Sequence, residues 1–173
     1  SRSIRRTLGR ELYTVTVDQN FRGVIGKCEE TNESRTDTWI ICEIMDVYTE
    51  LFEKGYAHSV ECWDGECLAG GLYGVSIGAA FFGESMFSRR SDASKIALAH
   101  LVARLLVGGY LLLDIQFVTK HLKKMGAIEI SRADYLRRLG QAVNKTANFH
   151  FLSSTGGRDS IETPVSGLGG GNE

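Results

Sequence analysis

The chain has 173 residues, of which 43% are hydrophobic and 24% are charged, and its formal net charge at pH 7 is -1. This length and composition predict one folded domain with a real core. A net charge near zero excludes a globally basic nucleic-acid binder, so any such surface must be local. The longest apolar stretch, residues 96–107, contains His100 and Arg104, which excludes a membrane span. The first residues also lack the apolar core of a signal peptide.

The first third of the chain predicts one strand and two helices. Residues 12–17 alternate and are rich in β-branched residues, which is typical of a strand. Asp18 is predicted to cap a short helix that runs from Phe21 to Cys28. Residues 29–37 are polar and predict a loop. Apolar residues at helical spacing then predict a helix from Trp39 through Lys54, which Gly55 ends.

The middle of the chain predicts an antiparallel meander followed by a long helix. Strands are expected at residues 57–63 and 67–75, around a turn at Asp64-Gly65. A third strand, 79–86, follows a turn at Ile77-Gly78. A helix then runs from Ser91 or Asp92 to residue 107, where two glycines stop it.

The last elements are predicted from residue 110 onward. The mostly apolar stretch 110–117 indicates a strand that is buried on both faces. Thr119 is predicted to cap a short helix that ends at Gly126. A final strand is expected at 127–130, and Ser131 is predicted to cap a helix through Leu139.

Glu84 is a lone acid near the end of the third meander strand, among Phe81, Phe82 and Met86. A carboxylate beside so much apolar surface is costly without a partner. The sequence leaves two partners open. One is a bound ligand, and the other is the neighbouring pair of arginines at 89 and 90.

Asp114 and Gln116 lie two positions apart on the predicted strand 110–117. Residues at that spacing on a strand point to the same face, so the two polar side chains are expected side by side. They either form part of a functional site or satisfy neighbouring backbone groups, including those of the helix that begins at Thr119.

The four cysteines are scattered, and none of them belongs to a recognisable ligand set. Cys62 and Cys67 flank a predicted turn, whereas Cys28 and Cys42 stand apart. No second pair and no histidine cluster completes a zinc site. We therefore expect no metal, and thiols that are buried or free in a reducing cytosol.

Six short motifs occur in the order found in one family. They are His58-Ser59-Val60-Glu61, Gly70-Gly71-Leu72-Tyr73-Gly74, Phe82-Gly83-Glu84-Ser85-Met86-Phe87-Ser88, Ala93-Ser94-Lys95, Asp114-Ile115-Gln116-Phe117 and Gly126-Ala127-Ile128-Glu129-Ile130. Between residue 1 and about residue 139 the chain closely resembles the leucyl/phenylalanyl-tRNA–protein transferases of bacteria. Family members continue further at the N-terminal side, with aromatic residues that help to seat the adenosine. We expect this chain to lack that portion.

The order of elements is that of the Gcn5-related N-acetyltransferase fold, an α+β fold whose mixed sheet contains an antiparallel meander and is flanked by helices. In that architecture two parallel strands splay apart and an acyl donor occupies the gap. Here these strands are 79–86 and 110–117. We expect an acyltransferase-like domain over residues 1–144. Residues 145–173, rich in Gly, Ser, Thr and Asn, are expected to form a disordered polar tail.

The resemblance implies a cytoplasmic aminoacyltransferase. It moves leucine or phenylalanine from aminoacyl-tRNA to the α-amine of proteins that begin with Arg or Lys, creating a degradation signal. It also implies that Asp114 and Gln116 lie at the reaction centre, where the Asp orients the Gln and the Gln carbonyl accepts a hydrogen bond from the amine. Whether this pair moves a proton or only positions the amine stays open. No cofactor is implied, and we expect a monomer.

The remaining candidate residues serve substrate binding. An apolar pocket for the aminoacyl side chain would be lined by Leu72, Phe81, Met86, Leu101, Leu105 and Leu113, although each of them is equally suited to a plain core. In the family, Trp39 and Glu84 lie where the terminal adenosine docks; Trp39 is alternatively a core anchor. The basic run Arg2, Arg5, Arg6 and Arg10 is suited to tRNA phosphates. Lys95, Lys123 and Lys124 are weaker candidates.

Two rival functions remain at the level of sequence. An acetyl-CoA-dependent N-acetyltransferase of the same fold needs a glycine-containing pyrophosphate loop ahead of the long helix. Residues 88–93 contain no glycine, which disfavours CoA. The second rival is a catalytically inactive module that binds tRNA or a peptide.

Overall fold

A five-stranded mixed sheet forms the centre of the molecule, with its strands in the order β1-β2-β3-β4-β5. The computed structural model describes residues 12–30, 38–116 and 118–152, without the side chains of residues 38–41 and 121. The strands are β1 (Thr14–Val17), β2 (Ala57–Asp64), β3 (Cys67–Ile77), β4 (Ala80–Ser88) and β5 (Leu112–Asp114). The helices are α1 (Phe21–Glu30), α2 (Thr38–Glu53), α3 (Ala93–Val107), α4 (Lys120–Met125) and α5 (Arg132–Val143). The fold class is therefore α+β, as predicted.

The predicted meander is confirmed. Strands β2, β3 and β4 pair antiparallel in succession, and β1 pairs antiparallel with the outer side of β2. The two turns depend on Gly65 (φ 60°) and Gly78 (φ 59°), whose left-handed backbone is accessible to glycine without steric penalty. Only the β4–β5 pair is parallel, and α3 makes its crossover.

Helices cover both faces of the sheet. On one face α3 packs over β2 and β3, and its core cluster includes Val60, Phe81 and Leu101. On the other face α1 and α2 pack against the sheet around Val24 and Tyr73. Neither face of the central strands is left to solvent, which explains why the middle of β3 is buried at consecutive positions.

Two of the predicted strands are wrong in length or existence. The strand expected at 110–117 is reduced to the three residues of β5, which are half-buried rather than fully buried. It ends there because Gln116 adopts a left-handed backbone (φ 59°). Residues 127–130 form no strand. Instead the Ala127 amide closes the end of α4 by donating to Leu122 O (3.0 Å), and Ile128 is 69% exposed.

The caps of three helices can be compared with their predictions. Thr119 and Ser131 cap α4 and α5 through their hydroxyl oxygens, as predicted. The prediction for Asp18 is wrong, because Asn20 Oδ1 accepts from the Gly23 amide (3.1 Å) at the start of α1. The Asp18 carboxylate instead accepts from the Ser59 amide (2.7 Å) and so joins the end of β1 to β2.

The first residues of the expected polar tail contact the folded domain. Phe149 is 3% exposed and stacks between His58 and Phe81. The Asn148 amide donates to Gly108 O (2.9 Å), and the buried Arg104 guanidinium donates to Phe149 O (2.9 Å). Residues 145–152 therefore pack on the domain, and residues 153–173 lie outside the described part of the chain.

The cysteines agree with the expectation of separate thiols. Cys62 and Cys67 are free although they flank the same hairpin, and Cys42 is exposed and free. Burial raises the pKa of both Cys28 and Cys62 to about 12, which keeps these two thiols protonated and unreactive. Among the described residues, no helix has both the length and the apolar character needed to cross a membrane.

Candidate functional site

Glu84 occupies a β-bulge in β4. Tyr73 and Gly74 of β3 pair with Ser85 and Gly83, so Glu84 is the extra residue between them. Gly74 is needed opposite the bulge, since a Cβ at that position would lie 2.2 Å from the Phe82 carbonyl oxygen. Bulges commonly re-aim side chains beside active sites.

The bulge changes the side of the sheet to which the later side chains of β4 point. Phe81 and Met86 pack in the same core cluster although they are an odd number of residues apart, and Phe87 belongs to the opposite cluster. Strict alternation would have placed Phe81 and Phe87 on one face. The extra residue therefore shifts the phase of the strand and brings Met86 onto the α3 side.

The parallel pair β4–β5 separates at the same point. Its last paired residues are Phe82 and Asp114, after which β4 continues to Ser88 without β5 beside it. The bulge increases the local twist of β4, and the left-handed residue Gln116 turns the other chain away. The pairing thus ends at the point where the sequence predicts a gap, and the region between Glu84 on one side and Asp114 on the other is called the gap below.

Four polar side chains are connected across this gap. Asp114 Oδ1 accepts from the Gln116 amide (2.8 Å), and Asp114 Oδ2 accepts from the Tyr135 hydroxyl (2.7 Å). Gln116 Nε2 donates to Glu84 Oε2 (3.3 Å). Gln116 is exposed, whereas Glu84, Asp114 and Tyr135 are half-buried. With Nε2 bonded to Glu84, Gln116 Oε1 is the oxygen available to accept a hydrogen bond from an incoming amine.

The prediction that Asp114 and Gln116 lie side by side on one strand face is wrong, although the Asp114 side chain does contact Gln116. They do not share a strand face, because β5 ends at Asp114 and Gln116 is left-handed. The Asp114 carboxylate holds the turn instead, by accepting from the amide two residues later. A left-handed backbone at a non-glycine residue is strained and is often found at functional sites.

Tyr135 joins this candidate site through its bond to Asp114, and the sequence analysis did not name it among the site residues. It lies on α5, and the start of this helix is set by the Ser131 cap. The hydrogen bond to Asp114 raises the pKa of Tyr135, so the phenol is a protonated donor at neutral pH. The only signal in the sequence was its place on α5, the second helix after the Asp-x-Gln motif.

The alternative partners suggested for Glu84 are engaged elsewhere. Arg89 pairs with Glu30, and Arg90 lies 3.6 Å from Asp64. Neither arginine forms an ion pair with Glu84 among the described residues.

The six apolar candidates divide into two groups. Leu72, Phe81, Leu101 and Leu105 are at most 4% exposed and belong to the closed core over α3. Met86 and Leu113 are half-buried and pack against the edge of that core together with Ile115. Met86 and Leu113 are therefore the two candidates that keep exposed surface, and the other four are closed within the core.

Several of the predicted substrate contacts fall outside the description. Trp39 is in α2, but its side chain is not described, and Arg2, Arg5, Arg6 and Arg10 precede the first described residue. Of the lysines, Lys95 pairs with Asp92, and Lys123 lies 3.4 Å from Glu129. Lys124 is exposed on α4.

Comparison with known proteins points to one family. Residues 1–140 match the family model described as leucyl/phenylalanyl-tRNA protein transferase. Three relatives carry the name leucyl/phenylalanyl-tRNA–protein transferase. The relative from Maricaulis maris is 55% identical over 88% of this chain and 70% of its own length. The relative from Paramagnetospirillum magneticum is 58% identical over 86% and 71%, and the one from Caulobacter vibrioides is 54% identical over 87% and 70%.

Proposed function

Because the chain belongs to the leucyl/phenylalanyl-tRNA protein transferase family, we propose that it transfers leucine or phenylalanine from aminoacyl-tRNA to the α-amine of proteins whose first residue is Arg or Lys. We place this reaction where the pairing of β4 and β5 ends. The observation that supports this placement is the hydrogen-bonded set of Glu84, Gln116, Asp114 and Tyr135. This set joins an acid to an amide at an open edge of the core.

The reaction requires little acid–base chemistry from the protein. The donor is an activated ester, and an acceptor α-amine with a pKa of about 8 already has a useful neutral fraction at pH 7. Gln116 Oε1 accepts a hydrogen bond from that amine and aims the lone pair of the nitrogen at the ester carbonyl. The new amide bond forms as the ester bond to the tRNA ribose breaks, and the proton that the amine loses is balanced by the one that the leaving ribose oxygen gains. Asp114 fixes the backbone of Gln116 by accepting from its main-chain amide, and Glu84 fixes the side chain by accepting from Nε2. Much of the acceleration then comes from holding amine and ester together.

Substrate recognition follows from the surroundings of the gap. Met86 and Leu113 contact the leucyl or phenylalanyl side chain, and a thioether is adaptable enough to accept both shapes. Glu84 Oε1, the carboxylate oxygen that does not accept from Gln116, bonds the terminal adenosine, which stacks on Trp39. The N-terminal arginines at positions 2, 5, 6 and 10 bind tRNA phosphates without reading sequence.

The helix start that would hold CoA is unsuitable for it. In the proposed Gcn5-related fold, a pyrophosphate would sit at the N-terminus of α3. Here Asp92 precedes that helix and has a left-handed backbone. Its side chain accepts no capping hydrogen bond from the helix amides and pairs with Lys95 instead. A carboxylate at this position repels a pyrophosphate, which favours the aminoacyl donor over acetyl-CoA. A cytoplasmic monomer with no cofactor completes the proposal.

A transfer assay tests the proposal directly. The full chain is incubated with radiolabelled Phe-tRNA and a peptide beginning with Arg, and the label on the peptide is measured. A peptide beginning with Ala and a reaction with labelled acetyl-CoA are the substrate controls. We expect label only on the Arg peptide, and only from the tRNA. Label from acetyl-CoA, or tRNA binding without transfer, would favour one of the two rivals.

Asp114→Asn tests the assigned residues within the same assay. The amide keeps the shape of the side chain but loses its charge, so the Gln116 turn and the Tyr135 contact are weakened. We expect kcat to fall about 100-fold, the scale of a misplaced reacting group, with tRNA binding nearly unchanged. Asp46→Asn, on the exposed outer side of α2, is the matched control. Equal kcat values for the two variants would exclude Asp114 from the reaction centre.

A further inference from the structure

A second group of titratable side chains lies at the corner between β1 and α1, and it involves none of the four residues of the reaction site. Asp18, His58 and His150 are distant in sequence but present one ligand atom each within 4.8 Å of one another. Asp18 Oδ2 is 2.8 Å from His58 Nδ1 and 3.3 Å from His150 Nε2. The fold builds this group by pairing β1 with β2 and by docking residues 145–152 beside them.

The spacing of Asp18 Oδ2 from each of the two histidine nitrogens suits a small divalent ion. Zinc binds histidine nitrogen and carboxylate oxygen at about 2.0–2.2 Å, so neighbouring ligand atoms are about 3 Å apart at right angles and about 3.4 Å apart in a tetrahedron. The two distances from Asp18 Oδ2 fall close to that range. An ion would replace the direct contact between the Asp18 and His58 side chains.

The ligands are already held in place. Asp18 has a left-handed backbone (φ 58°), and its second oxygen accepts from the Ser59 amide. The His58 ring stacks on Phe149 with centroids 4.0 Å apart. The His150 amide donates to Asn148 Oδ1 (2.9 Å). Such outer contacts orient metal ligands and strengthen binding.

The site is open on one side. The Asp18 and His58 side chains are 12% and 7% exposed, whereas that of His150 is 61% exposed. An ion therefore enters from solvent past His150 and keeps at least one coordination position for water. The positive charge of Arg104 acts on Asp18. Its guanidinium is already bonded to the carbonyls of Phe149 and Leu152. It therefore weakens metal binding without occupying the site.

We propose that Asp18, His58 and His150 form a binding site for a divalent transition metal of the zinc class, which fastens residues 145–152 to β2. Two neutral imidazoles and one carboxylate are a ligand set that zinc, cobalt and nickel prefer to magnesium or calcium. The site is distinct from the transfer reaction, so its existence does not depend on that activity.

Zinc titration of the metal-free full chain tests this proposal. Calorimetry should give one equivalent of bound zinc. Zinc at ten times its dissociation constant should raise Tm by about 4 °C, as expected for a ligand of the native state of a chain of this size. His150→Ala should abolish both effects, and this exposed residue can be changed without disturbing the core. Asp18→Asn should do the same.

The exposed thiols provide the matched control. Cys42 and Cys67 are the alternative zinc ligands on the described surface. A double variant with serine at both positions should keep the binding and the Tm shift of the parent chain. Zinc binding that survives in His150→Ala, that disappears in the cysteine variant, or that is not detected in the parent chain would overturn the proposal.

Discussion

Removing the Tyr135 hydroxyl should slow transfer by releasing Asp114. In Tyr135→Phe the ring remains on α5 and only the hydrogen bond to Asp114 Oδ2, 2.7 Å long, is lost. Asp114 then keeps its bond to the Gln116 amide but gains freedom to rotate. We therefore expect Tyr135 to act as a positioning residue, with an effect on kcat rather than on KM.

The size of this effect follows from the geometry. A hydrogen bond to a charged acceptor contributes about 1.5–3 kcal/mol. Tyr135 is half-buried, which places its bond at about the lower limit of that range. A loss of about 1.4 kcal/mol is a tenfold change in the population of the productive orientation. We expect kcat to fall about tenfold and the free energy of unfolding to fall by about 1 kcal/mol.

A double-mutant cycle distinguishes positioning from a separate role. Values of kcat and KM are measured for Tyr135→Phe, for Asp114→Asn and for the double variant, with Phe-tRNA and the Arg peptide. If Tyr135 acts only through Asp114, the double variant transfers no more slowly than Asp114→Asn alone. Tyr56→Phe is the control, since Tyr56 is 53% exposed at the end of α2. Multiplicative losses, or an unchanged kcat in Tyr135→Phe, would refute this reasoning.

Three further outcomes are expected. Phe149→Ala should lower the free energy of unfolding in urea by about 3–5 kcal/mol, the usual loss for a buried ring; a loss below about 1 kcal/mol would mean that the segment does not pack. Burial, assisted by Arg104, lowers the pKa of His100 to about 4, so only the unfolded chain gains this proton as the pH falls from about 6.5 to 4. Stability should therefore drop over that window, by at most about 2 kcal/mol at pH 5, and His100→Gln should flatten the drop in urea titrations. Met86→Ala should reduce the preference for Leu-tRNA and Phe-tRNA over tRNAs that carry smaller amino acids. Unchanged ratios of kcat/KM would exclude Met86 from the pocket.

Local signals in the sequence were sufficient for the meander and for two of the three helix caps. The turns at Gly65 and Gly78 require a left-handed backbone, and the hydroxyls of Thr119 and Ser131 satisfy amides within three residues. Each of these features depends only on chain neighbours, so the sequence contains the information.

Features that depend on distant partners were not predictable in the same way. Residues 127–130 have the composition of a strand, but no strand of the described residues lies beside them, and the Ala127 amide donates to the end of α4 instead. The polar composition after residue 144 predicted disorder, and it concealed one aromatic side chain, Phe149, that fits between His58 and Phe81. A single buried ring outweighs the average character of its segment.

The candidate reaction site lies where the regular pattern fails twice. The bulge at Glu84 and the left-handed backbone of Gln116 both interrupt the β4–β5 pair, on opposite sides of the same gap. A regular pair would have continued the ladder and closed the edge at which Gln116 is exposed. Each irregularity costs backbone energy, and each is supported by a neighbour: Gly74 makes room for the bulge, and Asp114 bonds the strained turn. In the proposed mechanism Asp114 therefore has two tasks, because the carboxylate that fixes the backbone of Gln116 also holds the turn at which β5 ends.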